Sequence, residues 1–208
     1  LEGVTGGAVP RKKLEAYAYN ARRMVEFLEG KSRVRYVAVK FPDYCMNVDG
    51  AVDGWRTYEP LPMWAGSLGD SYRYIGKPHP TVVMFGRFTW MLNEIPILLG
   101  RGLPFLWLVG RFGLQYVLDL PWRMKTKLSR RLTGGIALIA RLKLSLDDRN
   151  IPLWIGAPMK ELLTSDGSVD GAVIERSGER IVVEARRGVI LASGGIDHAV
   201  DLRKKYLP

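Results

Sequence analysis

The spacing of apolar residues changes within the first forty positions of the chain. Between Pro10 and Gly30 they recur every three or four residues, which predicts an amphipathic helix. The stripe consists of Leu14, Tyr17, Ala18, Ala21, Met24, Val25 and Leu28. The alternation in RVRYVAVK then predicts a short strand over Arg33–Lys40. From Asn47 to Pro80 no period is sustained, and the abundance of Gly, Pro, Asp and aromatic residues predicts a long ordered loop.

The segment Thr81–Leu120 is strongly apolar but is interrupted by charged residues. No charge-free run approaches the roughly 20 residues that cross a bilayer, so a transmembrane helix is not predicted. A buried helical hairpin is the preferred interpretation. The arginines and the basic run RMKTKLSRR at 123–131 keep a second one open, an amphipathic segment on a membrane surface. Burial of Trp107 and Phe112 would support the hairpin, and exposure of both would support the surface segment.

The last third of the chain has a sharper pattern. TGGIALIARLKLSLDDRN predicts a helix, and the face of this helix carries Ile136, Ile139, Leu142 and Leu146. Four β-rich runs follow, separated in part by the turn sequences SDGS and SGE, and they predict an antiparallel meander over Ile151–Ala185. The uninterrupted apolar run at Gly188–Ala192 predicts a strand that is buried on both faces of a parallel sheet and reaches Ser193.

Composition and charge narrow the class of protein. The chain has 208 residues, 47% of them hydrophobic and 25% charged, as expected of a folded globular protein. It begins with Leu1 and has no signal-peptide pattern, so we expect a fragment of a longer protein. The lone cysteine, Cys45, is typical of a reducing cytoplasm. The net charge of +10 is spread out and is not interleaved with aromatic residues, so nucleic-acid binding is not predicted.

The stretch from Thr133 to His198 resembles the FAD-binding fold of the fumarate reductase and ketosteroid dehydrogenase superfamily. The matching parts are the Gly-Gly helix, a strand ending in APMKEL, the hairpin DGSVDGAVI and the segment RRGVILASGG. The likeness is strongest to the 3-ketosteroid Δ1-dehydrogenases. It implies an α/β fold: an FAD/NAD(P)-binding Rossmann-like sheet with an antiparallel β-meander and a mostly helical insertion. The implied division is 1–80 and 132–208 as parts of the FAD domain, with 81–131 as the insertion.

A flavin site is expected where the last strand ends. Ala192, Ser193, Gly194 and Gly195 present little side chain, so a ligand can approach the backbone closely. The resemblance implies that these four residues lie along the diphosphate and ribityl chain of FAD. It also implies that Pro158 and Met159 flank the adenine, where only Met159 has an N–H to donate. The chain departs from the family in containing no G-x-G-x-x-G loop.

The sequence FPDY at 41–44 carries the candidate chemistry. Ketosteroid dehydrogenases have such a segment after a helix and a strand, and the resemblance implies that Tyr44 belongs to the active site. There it would support a proton-abstracting tyrosine that lies further along the chain, because a phenol with a pKa near 10 needs stabilising neighbours to act as a base. Phe41 would line an apolar substrate pocket. The alternative is a tyrosine that only packs. His79 and His198 have no partners at metal-ligand spacing, so no metal is expected.

These features together predict part of an FAD-dependent dehydrogenase that acts on a steroid-like or other lipophilic ketone. The alternatives are a fumarate reductase or succinate dehydrogenase type of flavoprotein and a non-catalytic membrane-surface module. The expected partners are a lipophilic small molecule, the remainder of the same polypeptide and, through residues 95–131, a peripheral membrane contact. The expected location is the cytoplasm.

Overall fold

The structure is a computed structural model that describes residues 1–80, 83–84 and 86–207. Part of the predicted apolar segment, at residues 81, 82 and 85, therefore lies outside the described residues. The chain divides into two compact units, Leu1–Pro152 and Leu153–Pro208. Each unit is described by itself.

Helices and short antiparallel strands alternate along the first unit. Its helices are α1 (Glu2–Thr5), α2 (Arg11–Lys31), α3 (Ile95–Leu99), α4 (Leu103–Leu118), α5 (Leu120–Lys125) and α6 (Gly134–Asp147), with 3₁₀ helices at Ala65–Tyr74 and Leu92–Glu94. Its strands are β1 (Tyr36–Val39), β2 (Thr57–Pro60), β3 (Met63–Trp64) and β4 (Arg131–Leu132). The second unit contains β5 (Met159–Ser165), β6 (Ser168–Arg176), β7 (Glu179–Glu184) and α7 (Val200–Tyr206).

The predicted first helix and first strand are confirmed, whereas the predicted loop is too long. β1 pairs antiparallel with β2, so that Val39 lies opposite Thr57, and β3 pairs with β4. Two strands and a 3₁₀ helix therefore lie inside the segment expected to be a loop. β1 and β2 are separated by a long connection, and the partner of β3 is distant in sequence. For this reason, the local spacing of apolar residues did not predict these strands. The connection from β1 to β2, residues 40–56, contains the FPDY sequence.

Most of the apolar stripe of α2 is not covered by the described residues. No residue of the helix is buried, and Tyr17, Met24 and Phe27 are 68%, 54% and 64% exposed. The helix is supported on its polar side by ion pairs four residues apart, Arg11 with Glu15 at 2.9 Å and Arg22 with Glu26 at 2.7 Å.

The main core of the first unit packs the 3₁₀ helix at Ala65–Tyr74 against α6. Its buried residues are Ala65, Leu68, Ile75, Leu128, Leu132, Ala137 and Ala140. The predicted face of α6 is only partly right, because Ile136 packs against this core but Ile139 is 53% exposed while Ala137 and Ala140 are fully buried. The helix is apolar around much of its circumference, and its small residues allow the closest approach of a neighbour. Tertiary packing therefore selected a partly different face.

Arginine side chains join α6, and Asp148 just after it, to the segments on either side of the β1–β2 pair. Arg33 Nε donates to Asp148 Oδ2 at 2.6 Å, and the same guanidinium holds the pKa of Asp148 below its ordinary value. Arg141 donates to the carbonyls of Arg33, Leu61 and Pro62 at 3.0–3.2 Å. One helix thus holds backbone groups on both sides of the β1–β2 pair. These bonds fix the strand pair from which the connection at 40–56 extends.

The apolar insertion combines features of both predicted interpretations. Phe112 is 1% exposed and its ring stacks on Phe88 with centroids 5.4 Å apart, whereas Trp107 is 66% exposed. No single described helix is long and apolar enough to cross a membrane. The pair Leu92–Leu99 and Leu103–Leu118, bent by 115°, does reach that length and composition when both helices are taken together. The structure therefore matches neither interpretation in full, and α4 has one buried and one exposed apolar side.

The predicted meander is confirmed in the second unit. β5, β6 and β7 form an antiparallel sheet in that order, and the turns fall at Asp166-Gly167 and Ser177-Gly178. All four turn residues have positive φ, between 48° and 83°, which matches the twist of a tight hairpin. Gly171 in β6 is required by packing, since a Cβ there would lie 2.3 Å from the carbonyl oxygen of Val183. The first of the four β-rich runs, at 151–156, forms no strand.

The strand predicted at 188–193 is absent from the structure. These residues have no regular secondary structure, and Ile190 and Leu191 are 92% and 59% exposed. A strand buried on both faces needs a ladder partner at each edge and a cover over each face. No described residue of the second unit supplies a ladder partner, so the apolar run has nothing to pair with. For the same reason, no parallel sheet is present among the described residues.

A buried carboxyl makes the stability of the first unit depend on pH. Glu59 on β2 is 6% exposed, and its Oε2 accepts a hydrogen bond from the Leu92 N–H at 3.0 Å. Burial raises the pKa of Glu59 above its ordinary value. The folded state therefore binds a proton here more readily than the unfolded state, so the free energy of unfolding falls as the pH rises through that raised pKa.

We therefore expect Glu59→Gln to raise the melting temperature at neutral pH, because an amide oxygen still accepts from Leu92 and no buried charge remains. The gain should vanish below about pH 4, where glutamate is protonated in both states. The control is Glu94→Gln, which should lower the melting temperature because Glu94 lies 3.0 Å from the largely buried Arg131. Thermal unfolding across a pH series measures both variants. A pH-independent effect of Glu59→Gln would contradict the argument.

Candidate active site

The FPDY segment lies at the start of the β1–β2 connection and is held against the end of β1. Gly54 makes this possible, since a Cβ there would lie 3.0 Å from Lys40 Cγ and 3.3 Å from Lys40 Cα. Its φ of +131° also favours glycine. The Trp55 N–H donates to the Val39 carbonyl at 3.1 Å and closes the connection at its far end.

Asp43 orders this connection. Its backbone N–H donates to the Val52 carbonyl at 3.1 Å, and its Oδ2 accepts from the Val52 N–H at 3.0 Å. The same oxygen lies 3.1 Å from Arg56 Nη1. One side chain thus joins both halves of the connection and leaves the next residue, Tyr44, at its outer side.

Tyr44 is 95% exposed, so it does not pack in a core of this chain. No described residue forms a hydrogen bond with its hydroxyl. Its ring meets the half-buried Phe41 edge-on, with centroids 6.1 Å apart. The two residues predicted for catalysis and substrate contact are therefore brought together. Cys45, the adjacent residue, is half-buried and free.

Trp55 is a residue of this region that sequence reasoning missed. It is 65% exposed and has a φ of +69°, which is rare for a bulky residue. Such backbone strain is often found at functional sites, where the surrounding structure maintains it. The one hint in the sequence was the Gly54-Trp55 pair after Asp53. A tryptophan is not expected to adopt a positive φ, so the sequence did not predict this conformation.

The residues predicted for the cofactor lie in the second unit. Residues 192–195 are all exposed and have no regular secondary structure. Gly194 has a φ of +83°, and a Cβ there would meet no heavy atom within 4 Å. The open backbone at these small residues leaves room for a ligand and therefore fits the close approach that a flavin diphosphate needs.

Pro158 and Met159 are placed by the meander rather than by residues 192–195. The Pro158 carbonyl accepts from the Glu175 N–H at 3.0 Å, and Met159 lies opposite Ile174 at the start of β5. Met159 is 44% exposed. In the described part of the chain, no hydrogen bond joins these two residues to 192–195. The structure therefore leaves the adenine contact as a prediction.

The fold and these open backbone segments define a class of protein. The model of the family described as FAD binding domain matches residues 1–208, so the chain belongs to that family, whose cofactor is FAD. Its small antiparallel sheets and helices are similar to those of the FAD-binding fold of a ketosteroid dehydrogenase.

Relatives with similar sequences narrow the comparison. The chain is 33% identical over 203 residues to 3-oxosteroid 1-dehydrogenase from Comamonas testosteroni, covering 97% of this chain and 35% of the relative. It is 32% identical over 214 residues to 4-oxocyclohex-2-ene-1-carboxylate 5-dehydrogenase from Sinomonas cyclohexanicum, covering 95% and 35%.

A solved structure gives the same result. This is the crystal structure of 3-ketosteroid delta1-dehydrogenase from Sterolibacterium denitrificans in complex with 1,4-androstadiene-3,17-dione, with a TM-score of 0.87 and 32% identity. The match covers 100% of this chain and 38% of that one. The chain thus spans about a third of the length of the relatives it matches.

Proposed function

We propose that this chain is part of a longer FAD-dependent dehydrogenase that introduces a C=C bond beside the carbonyl of a lipophilic cyclic ketone. The observation that carries the proposal is the FPDY connection, which holds Tyr44 out of the core with its hydroxyl unbonded by any described residue. Similar relatives named for dehydrogenation of a ring bearing an oxo group support the same reaction class.

The reaction removes two hydrogens from neighbouring carbons. A proton leaves the carbon next to the ketone, a hydride leaves the adjacent carbon, and the remaining electron pair forms the C=C bond. FAD, when bound, supplies the hydride acceptor. Tyr44 would donate a hydrogen bond to a second tyrosine outside this chain and so stabilise its phenolate, which lowers the cost of using a phenol as the base.

The substrate pocket would begin at Phe41, the apolar neighbour of Tyr44. A steroid fits an apolar wall, and it is the substrate class in the names of most of the relatives described above. A dicarboxylate, as in the fumarate reductase alternative, needs arginines with open guanidinium groups. Arg56, the one arginine in the connection at 40–56 that carries Tyr44, is already paired with Asp43. A lipophilic ketone is therefore the better supported class.

The remainder of the polypeptide would complete the Rossmann-like sheet. Ile190 and Leu191 are exposed apolar residues in a run with the composition of a buried strand, and the stripe of α2 is exposed as well. We propose that residues 188–193 pair with strands from outside this chain and that another part of the protein covers α2. Burial of these residues would provide about 25 cal/mol per Å² of apolar surface.

In that sheet, the backbone at 192–195 would lie along the FAD diphosphate and ribityl chain, and Met159 would flank the adenine. Gly194 is a poor position for a test, because its φ of +83° means that any side chain strains the backbone. Ser193 has an exposed side chain and does not carry this complication.

In the full-length dehydrogenase, Ser193→Leu should lower the flavin content at least tenfold, because the larger side chain occupies the space of the cofactor. Ser168→Leu is the matched control, since Ser168 is also exposed but lies directly after the turn of the β5–β6 hairpin. Flavin absorbance per protein, measured next to the melting temperature of the apoprotein, separates cofactor loss from misfolding. Equal flavin content in both variants would mean that 192–195 is only a linker.

A further inference from the structure

Trp55 is held beside the FPDY segment by the backbone of the connection at 40–56. Its N–H and the N–H of Phe41 both donate to the Val39 carbonyl oxygen, at 3.1 and 3.0 Å. Two donors that share one acceptor must be neighbours, and a Cβ on Gly54 would lie only 3.5 Å from the Phe41 nitrogen. The side chain of Trp55 therefore starts beside Phe41, the residue at which the proposed substrate pocket begins.

The indole of Trp55 is open to an outside partner. It is 65% exposed, and no described aromatic ring or cation stacks on it. Such a partner is present for four other tryptophans, Trp64, Trp107, Trp122 and Trp154. Among the described residues, no ring contact joins the indole to Phe41 or Tyr44 either, although those two rings meet edge-on at 6.1 Å. Trp55 thus offers an apolar surface that is close to this aromatic pair but separate from it.

The backbone of Trp55 is unfavourable for a tryptophan. The described non-glycine residues with positive φ are Trp55, Asn150, Asp166 and Ser177. The last three are small polar residues, which accept such angles in turns, whereas a bulky side chain at a φ of +69° is strained. Glycine would adopt the same angle without strain. A strained residue with an exposed ring therefore points to a role of the ring outside the core.

The distance of the indole from the reacting ring determines what it would touch. In the proposed reaction, the ring that bears the ketone lies against Tyr44 and Phe41, and these two side chains are sufficient to line a single ring. A fused-ring ketone extends beyond them. Its remote rings need a further apolar wall, and tryptophan supplies a large one at a small cost in side-chain entropy.

We propose that Trp55 contacts the rings of the substrate that are remote from the reacting carbonyl and thereby makes the site selective for fused-ring over single-ring ketones. This inference rests on the proposed function, in which Tyr44 faces the reacting ring. Burial of the indole against remote rings strengthens binding in proportion to the apolar area removed from water. A single-ring ketone does not reach the indole, so only the larger substrate gains affinity from it.

The test uses the full-length dehydrogenase, a 3-oxosteroid and cyclohexanone, and measures the dissociation constant of each ketone from the change in flavin absorbance. Trp55→Gly removes the indole and the strain together. It should raise the dissociation constant of the steroid at least about tenfold and that of cyclohexanone less than about threefold. The melting temperature should not fall, because glycine accepts a φ of +69°. Trp55→Phe keeps an aromatic wall and should stay within about threefold of the wild type for both ketones.

Two control variants separate the indole from its backbone. Asn150→Gly makes the matching backbone change at a φ of +53°, outside the connection at 40–56. Trp107→Ala removes an indole of nearly the same exposure, 66%, from α4. Neither variant should change the dissociation constant of either ketone by more than about twofold.

Three results would overturn the inference and leave the proposed function intact. The first is an equal loss of affinity for both ketones in Trp55→Gly, and the second is a wild-type preference for cyclohexanone. The third is a lower melting temperature with unchanged affinities, which would show that the rest of the polypeptide covers the indole. A wild-type protein that retains FAD but dehydrogenates no cyclic ketone would instead overturn the proposed function, and the inference with it, before any variant is made.

Discussion

Tyr44→Phe in the full-length dehydrogenase is expected to lower kcat by about 10²–10⁴-fold, the usual range for loss of an acid–base contribution. The variant removes only a hydroxyl that no described residue engages, while the ring keeps its edge-on contact with Phe41. Flavin content and melting temperature should therefore stay unchanged. The measurement is the dehydrogenation rate per bound flavin, taken across pH. The pKa of the base sets the pH at which the rate rises, and loss of the hydrogen bond that stabilises the phenolate should move this rise to higher pH.

Tyr17→Phe is the control for this experiment. Tyr17 is also exposed, at 68%, but it lies on the apolar stripe of α2, away from the FPDY connection in sequence. It should retain the wild-type rate and pH profile. A Tyr44→Phe enzyme within threefold of the wild-type rate would remove Tyr44 from the reaction and leave the likeness of FPDY to the ketosteroid dehydrogenases without a functional meaning.

Phe112→Ala is expected to destabilise the insertion by about 3–5 kcal/mol, the usual cost of removing a fully buried aromatic ring. Phe112 is 1% exposed and stacks on Phe88, and its small core has few other members. The insertion should open locally, so amide hydrogen exchange over α4 in the full-length protein is the sensitive measurement. The rates should rise by more than a hundredfold.

Trp107→Ala is the matched control on the same helix. Trp107 is 66% exposed, so its loss should change the free energy of opening by no more than about 0.5 kcal/mol. Equal exchange in the two variants would show that the assignment of inner and outer sides of α4 is wrong.

The insertion shows why some features of the fold were not predictable. Its arginines suggested a surface helix and its overall hydrophobicity suggested a buried hairpin, and both signals were genuine. The helix has two apolar sides, one bearing Leu108 and Phe112 and one bearing Leu106 and Trp107. The sequence of a helix does not determine which of its two apolar sides is covered, because that depends on the shape and position of distant segments.

The candidate site also has features that the sequence predicts and features that only the folded structure shows. The FPDY segment and the small residues at 192–195 were identifiable from the sequence, because proline, aspartate and glycine act on the backbone at their own positions. The bonds that hold Tyr44 outward were not identifiable. They depend on Gly54 and Val52, which meet residues 40–43 only after β1 and β2 have paired.

Sequence alone determined the secondary-structure elements that depend on residues close to one another in the chain. The bounds of α2 and α6 follow from residues within one turn of their ends, and the hairpins of the meander follow from Asp166-Gly167 and Ser177-Gly178, which accept positive φ. Tertiary structure decided which faces are buried and whether an apolar run becomes a strand. Ala137 and Ala140 replaced Ile139 in the core, and 188–193 formed no strand. A backbone preference acts within a few residues, whereas burial and strand pairing require a partner, and only the folded chain determines whether one is present.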